Sequence, residues 1–166
     1  MKINLNKEKV GDIMIETTTD RNRIITDLLN GMQTALRQIV PMNYNLGAPQ
    51  LSGEALTLHY GILIGFTGDI KGRLIIAGEK AVFGSIGEKM FGMQLEEEML
   101  VSFSGELGNM LAGGIATQIV EKGFAIDITV PTVMQGNTTL SGYEKAIKIT
   151  AAFDEAGELD LYLLLN

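Results

Sequence analysis

The sequence predicts an α+β fold: long helices packed on an antiparallel β-sheet, arranged as two diverged half-repeats. Three observations carry this expectation. Residues 20–40 and 98–123 each place apolar side chains at helical spacing. Shorter runs rich in Ile, Leu, Val and Thr lie between turn residues and read as strands. The order is helix, strand, strand, helix, then helix, strand, strand, strand, so a long helix heads each half. With 166 residues, 46% of them hydrophobic, the chain is expected to form a single domain over 1–166.

Taken in order, residues 1–19 are polar and mixed, and are expected to be a loose lead-in or an edge strand around Asp12–Glu16. From Asp20 to Val40, Ile24, Ile25, Leu28, Leu29, Met32, Leu36 and Ile39 follow helical spacing, with Asp20 as N-cap and Pro41 as the stop. MNYNLGAPQLSG reads as turn-rich linker. Strands follow at Ala55–Gly65 and Lys71–Ala77, with FTGD as the turn, then a short helix over Glu79–Gly92. MQLEEE starts the second long helix with carboxylates near its positive dipole end. Beyond Gly123, strands are expected at Ala125–Met134, Lys145–Phe153 and Leu159–Leu165, with QGNTTLSGY as a loop. The apolar final strand LDLYLLLN would be a liability as an unpaired edge.

The helix EMLVSFSGELGNMLAGGIATQIVEKG carries the most unusual pattern. Leu100, Phe103, Leu107, Met110, Leu111 and Ile115 form its apolar arc. Ser102, Glu106, Asn109 and Gly113 stand at i, i+4, i+7 and i+11, a stripe roughly 60° wide on another side. Small residues, Gly105, Ala112 and Ala116, line one flank. Four interior glycines each cost about 0.8–1 kcal/mol relative to alanine. Close packing accounts for Gly108 and Gly114, nearer the apolar side. Gly105 and Gly113 lie on or beside the stripe, where thinness would admit another macromolecule to Glu106 and Asn109.

Much conventional chemistry is excluded. There is no cysteine and one histidine, His59, in a strand-like run that suits a structural or surface role. The usual zinc sites and a thiol nucleophile therefore cannot be built. The glycines at 65, 68 and 72 span a strand-to-strand turn, not a phosphate loop. Glu96–Glu98 reads as a helix start, and the nine methionines read as core filler. A net charge of −7 disfavours nucleic acid and suits a locally basic protein partner. No apolar h-region or 18-residue apolar run is present, so neither a signal peptide nor membrane insertion is expected, and a cytoplasmic location is.

Ser102-x-x-x-Glu106-x-x-Asn109, the glycine and alanine run after it, and Pro131 in a following strand resemble the signature of the CheC/CheX/FliY chemotaxis phosphatases, most of all the one-site CheX type. The resemblance runs from about Ala55 to the C-terminus; residues 1–50 match only in general layout. It implies a CheC-like fold and a phosphatase acting on the aspartyl phosphate of a CheY-type response regulator. On that likeness, Asn109 orients the attacking water and Glu106 docks on the regulator's lysine. Ser102, Gly105, Gly113 and Pro131 support the motif. The protein needs no cofactor of its own, because the phosphorylated regulator supplies Mg²⁺. The likeness also implies a homodimer. The competing class is a module of the same fold that binds a regulator or flagellar-switch component without hydrolysis; a small-molecule sensor is a third reading.

In the first helix, Arg23-x-x-x-Asp27-x-x-Asn30 echoes the pattern. Aspartate is shorter than glutamate, Arg23 can pair with Asp27, and Ser52 stands at the offset that Pro131 has from Asn109. Asp27 and Asn30 are therefore expected to form an ordinary helix face.

Overall fold

The structure is a computed structural model that describes residues 9–166, with side chains described from Asp20 onward. Its elements are α1 (Lys9–Ile39), β1 (Tyr44–Leu46), β2 (Gln50–Leu51), β3 (Leu56–Gly68), β4 (Gly72–Gly78), α2 (Lys80–Phe91), α3 (Glu97–Glu121), β5 (Ile126–Ile128), β6 (Thr132–Leu140), β7 (Lys145–Phe153) and β8 (Gly157–Leu165). Three helices pack on an eight-stranded sheet whose paired strands all run antiparallel.

The sheet order is β1-β7-β8-β4-β3-β5, with β2 also on β7 and β6 also on β3. This order is unchanged when α1 is exchanged for α3, β1β2 for β5β6, β3 for β7 and β4 for β8. Two half-repeats are thus visible in the topology. Each half sends its first strands across to flank the other half's hairpin, so neither half closes its sheet alone. The two long helices are antiparallel. A Cβ on Gly31 would stand 3.5 Å from Gln118 and Ile115, whereas Gly114 faces Ala35 and Ile39.

One large core lies between the helices and the sheet, built on Leu28, Met32, Leu36, Ile62, Ile64, Leu107, Leu111, Ile119 and Leu163. A second apolar cluster joins Leu56, Leu58, Ile75, Ala77, Ala146, Tyr162 and Leu164. Around it, Arg73 donates to the Ser141 carbonyl (3.3 Å) and Tyr143 to that of Gly53 (2.7 Å).

Several sequence expectations need correction. The segment expected as an edge strand around Asp12–Glu16 is part of α1, and Asp20 is interior to that helix, not its N-cap; residues 1–8 lie outside the described chain. Isolated propensity gives way here to continuation of a helix whose later turns are buried. The linker at 42–53 contains β1 and β2, which complete the edge at β7. Phe66–Gly68 of the expected turn remain in β3, where a Cβ on Gly68 (φ 124°) would meet the Ala125 carbonyl oxygen at 2.4 Å.

The stretch QGNTTL is strand, not loop. It pairs with β3 through a bulge at Gly136–Asn137, and Asn137 Oδ1 lies 2.6 Å from His59 Nδ1. The expected strand Ala125–Met134 is split: β3 pairs with β5 as far as Phe66–Ile128 and with β6 from Leu63–Thr132. Pro131, which has no N–H to give the ladder, sits in the break. β8 is not an edge. It lies between β4 and β7, which is why it reads as nearly continuous apolar sequence.

Candidate functional site

Helix α3 starts after Glu96, which has extended φ/ψ, with Glu97 and Glu98 in its first turn. Its buried residues Leu100, Phe103, Leu107, Leu111, Ile115 and Ile119 hold it on the sheet and on α1. Ser104 is fully buried; its hydroxyl donates to the Leu100 carbonyl (2.7 Å) and accepts from Tyr60 Oη (2.8 Å). Tyr60 in turn meets the Phe83 ring of α2 edge-on at 5.1 Å. These contacts tie the part of α3 preceding Glu106 to β3 and α2 together.

The opposite side of the helix is free. Ser102, Glu106 and Asn109 are exposed, and Gly113 is half-buried. Eleven residues separate the ends of this stripe, about 16 Å along a helix. Among the described residues, neither the Glu106 carboxylate nor the Asn109 amide has a hydrogen-bond or ion-pair partner. Both groups are open to whatever approaches this face.

The glycines divide by surroundings. A Cβ on Gly108 would lie 2.6 Å from Ile62 Cγ2, and one on Gly114 3.1 Å from Ala35 Cβ, so these two serve close packing. At Gly113 nothing lies within 4 Å. Gly105 faces Val133 of β6 at 3.6 Å, whereas Ala112, expected beside it on a bare flank, is buried in the main core, so the flank is not open along its length. Pro131 lies off the helix, between β5 and β6, beside a Val130 that is 82% exposed.

The echo in α1 is built differently. Arg23 is not given over to Asp27: its guanidinium lies 4.7 Å from the centroid of the Phe124 ring. Asp27 is half-buried, Asn30 is exposed, and Gly31 is buried against α3. Among the described residues no group of three or more His, Cys, Asp or Glu side chains converges as a metal site would, and no helix is long and apolar enough to cross a membrane.

Two exposed side chains escaped the sequence reading. Met93 and Met99, read as core filler, are 51% and 52% exposed where α2 turns into α3, beside Phe91 at 59%. Met99 is seven residues before Glu106, on the same side of the helix, which is the spacing that would have placed it there.

Comparison with known proteins follows the same line. The family profile described as chemotaxis phosphatase CheX matches residues 60–152, more than half of the chain. A Thermotoga maritima protein named CheY-P phosphatase CheX is 28% identical over 146 residues, covering 85% of this chain and 94% of the relative. The crystal structure of a chemotaxis protein CheX from Desulfovibrio desulfuricans superposes with a TM-score of 0.74 at 18% identity, covering 87% of this chain and 99% of that one. A chain of the crystal structure of the CheX–CheY–BeF3–Mg²⁺ complex from Borrelia burgdorferi gives a TM-score of 0.72 at 22% identity, covering 86% of this chain and 97% of that one.

Proposed function

The chain belongs to the chemotaxis phosphatase CheX family, and from that premise we propose that it hydrolyses the aspartyl phosphate of a CheY-type response regulator. The observation that supports this most is the pairing of a carboxylate and an amide, Glu106 and Asn109, both without a partner among the described residues, on one exposed face of a helix fixed by its buried side.

An aspartyl phosphate is already an activated ester, and phosphoryl transfer needs chiefly a placed water and charge held in register. The Asn109 amide accepts from and donates to one water, setting it in line with the P–O bond to the aspartate. Water adds to phosphorus, that bond breaks, and the products are the regulator's free carboxylate and inorganic phosphate. The Glu106 carboxylate pairs with the regulator's active-site lysine and fixes the angle of approach. Mg²⁺ belongs to the regulator. The Thermotoga relative's name and the solved complex with CheY support this choice of partner. With such a partner the proposed location is the cytoplasm.

We further propose a homodimer. β8 being interior, the long free edge among the described residues is β6, nine residues paired on one side only, and a second copy can extend the sheet there. Light scattering showing a monomer at micromolar concentration would remove this proposal.

The direct test of function is phosphate release from the phosphorylated regulators of the same genome. Glu106→Ala should weaken both rate and affinity, and Glu106→Gln should recover little, since a neutral amide replaces a charged partner poorly. Binding of Glu106→Ala at wild-type strength would remove its docking role.

A further inference from the structure

We propose that Phe91, Met93 and Met99 form an apolar docking ledge for the receiver domain on which Glu106 and Asn109 act. This rests on the function proposed above and extends it from the reacting groups to the footprint of the partner.

Among the described residues, six large hydrophobic side chains are exposed, and three fall within nine residues at this one corner. Scattered singly, such residues need no explanation; clustered ones do. The corner is also fixed in place. Phe91 sets its ring edge-on against Phe103 at 5.7 Å, and Gly92 ends α2 in the left-handed conformation (φ 72°). Leu95 is buried so closely against α2 that a Cβ on Gly87 would lie 2.5 Å from it. The Phe91 ring, held in advance, costs little ordering on binding, and the flexible methionines beside it can adapt to the partner's surface.

Position and charge choose the occupant. Met99 is one helical turn before Ser102 and about 10 Å along the axis from Glu106, so the ledge and the stripe form one continuous surface. The stripe alone is a row of four residues, far short of the roughly 800 Å² per partner that a stable complex buries. The ledge adds exposed apolar surface next to it. Glu96, Glu97 and Glu98 stand exposed around Met99, with Glu97 bridged to Lys80 at 3.2 Å. The complementary surface is therefore apolar with a basic rim, beside the lysine that meets Glu106.

The test uses the double variant Met93→Gln/Met99→Gln, near-isosteric and half-exposed, with thermal unfolding as a check on folding. The probes are response regulators activated with beryllofluoride, which stands in for the phosphoryl group, for binding, and the same regulators phosphorylated for turnover. The expected result is a rise of about tenfold in Kd and KM, with kcat within about twofold of wild type. Wild-type Kd in the variant, with the wild-type protein active, overturns the ledge alone. Loss of self-association with unchanged regulator affinity also overturns it, by assigning the corner to a second copy. A wild-type protein that neither binds nor dephosphorylates any regulator overturns this inference together with the function it rests on.

Discussion

Alanine at Gly113 should stabilise the protein, and alanine at Gly108, five residues earlier on the same helix, should destabilise it. At Gly113 a Cβ meets nothing within 4 Å, so the substitution keeps the full helix-propensity gain of about 0.8–1 kcal/mol. At Gly108 the same gain is opposed by a Cβ 2.6 Å from Ile62 Cγ2 and 3.3 Å from Ile64 Cδ1, both side chains essentially buried. Overpacking of this kind costs about 1–3 kcal/mol, leaving a net loss of up to about 2. Urea denaturation at constant m-value reads the difference directly. Equal midpoints for the two variants would refute the division of glycines into packing and access roles. Gly113→Leu extends the argument to function: it should keep at least wild-type stability yet slow phosphate release, because the new side chain stands on the stripe proposed to meet the regulator. An active Gly113→Leu would show that the opening at Gly113 is not needed for access.

Two further outcomes follow from the buried polar groups. Ser104→Ala strips the buried Tyr60 hydroxyl of its acceptor and should cost about 1–3 kcal/mol, whereas Tyr60→Phe leaves Ser104 still donating to Leu100 and should cost about 1. The double variant should lose less than the sum, and additivity in denaturation would contradict a coupled pair. Burial, with Asp160 and Tyr143 adding, raises the pKa of Tyr162 above the ordinary tyrosine value. The folded state therefore holds this proton longer than the unfolded chain does. Its contribution is fully present below about pH 10 and is lost as pH rises through the folded-state value. Tyr162→Phe should accordingly flatten the alkaline fall in urea midpoint; an unchanged slope would contradict the assignment.

What was legible in the sequence was what one-sided burial writes into it. The apolar arc of α3 and the runs of β3 and β7 are each dictated by a face against the core, and their positions followed from periodicity; β4, buried on both faces, was legible only as a short apolar run between glycines. The stripe was legible for the complementary reason: Ser102, Glu106 and Asn109 recur where core residues do not. The early part of α1 was not, because Thr17–Thr19 and their polar neighbours carry neither helix propensity nor a clear apolar arc. The second half of β6 was hidden by Gly136, Asn137 and two threonines, residues that a bulged and exposed edge strand tolerates. β8 misled in the other direction, since burial on both faces removes alternation and leaves only an apolar run. Met93 and Met99 show the limit of composition: methionine suits a core and a contact surface equally, and only the fold distinguishes them.

The central claim is that hydrolysis belongs to the stripe on α3 and not to its echo on α1. It is tested most directly by initial rates of phosphate release from the phosphorylated regulator, measured for wild type, Asn109→Ala and Asn30→Ala. Both asparagines are exposed, so neither change should disturb the fold. Asn109→Ala is expected to lose nearly all activity while still binding the beryllofluoride-activated regulator, and Asn30→Ala is expected to match wild type. Loss of about half the activity in each variant would mean two working sites, and a wild-type rate for Asn109→Ala would contradict the mechanism outright.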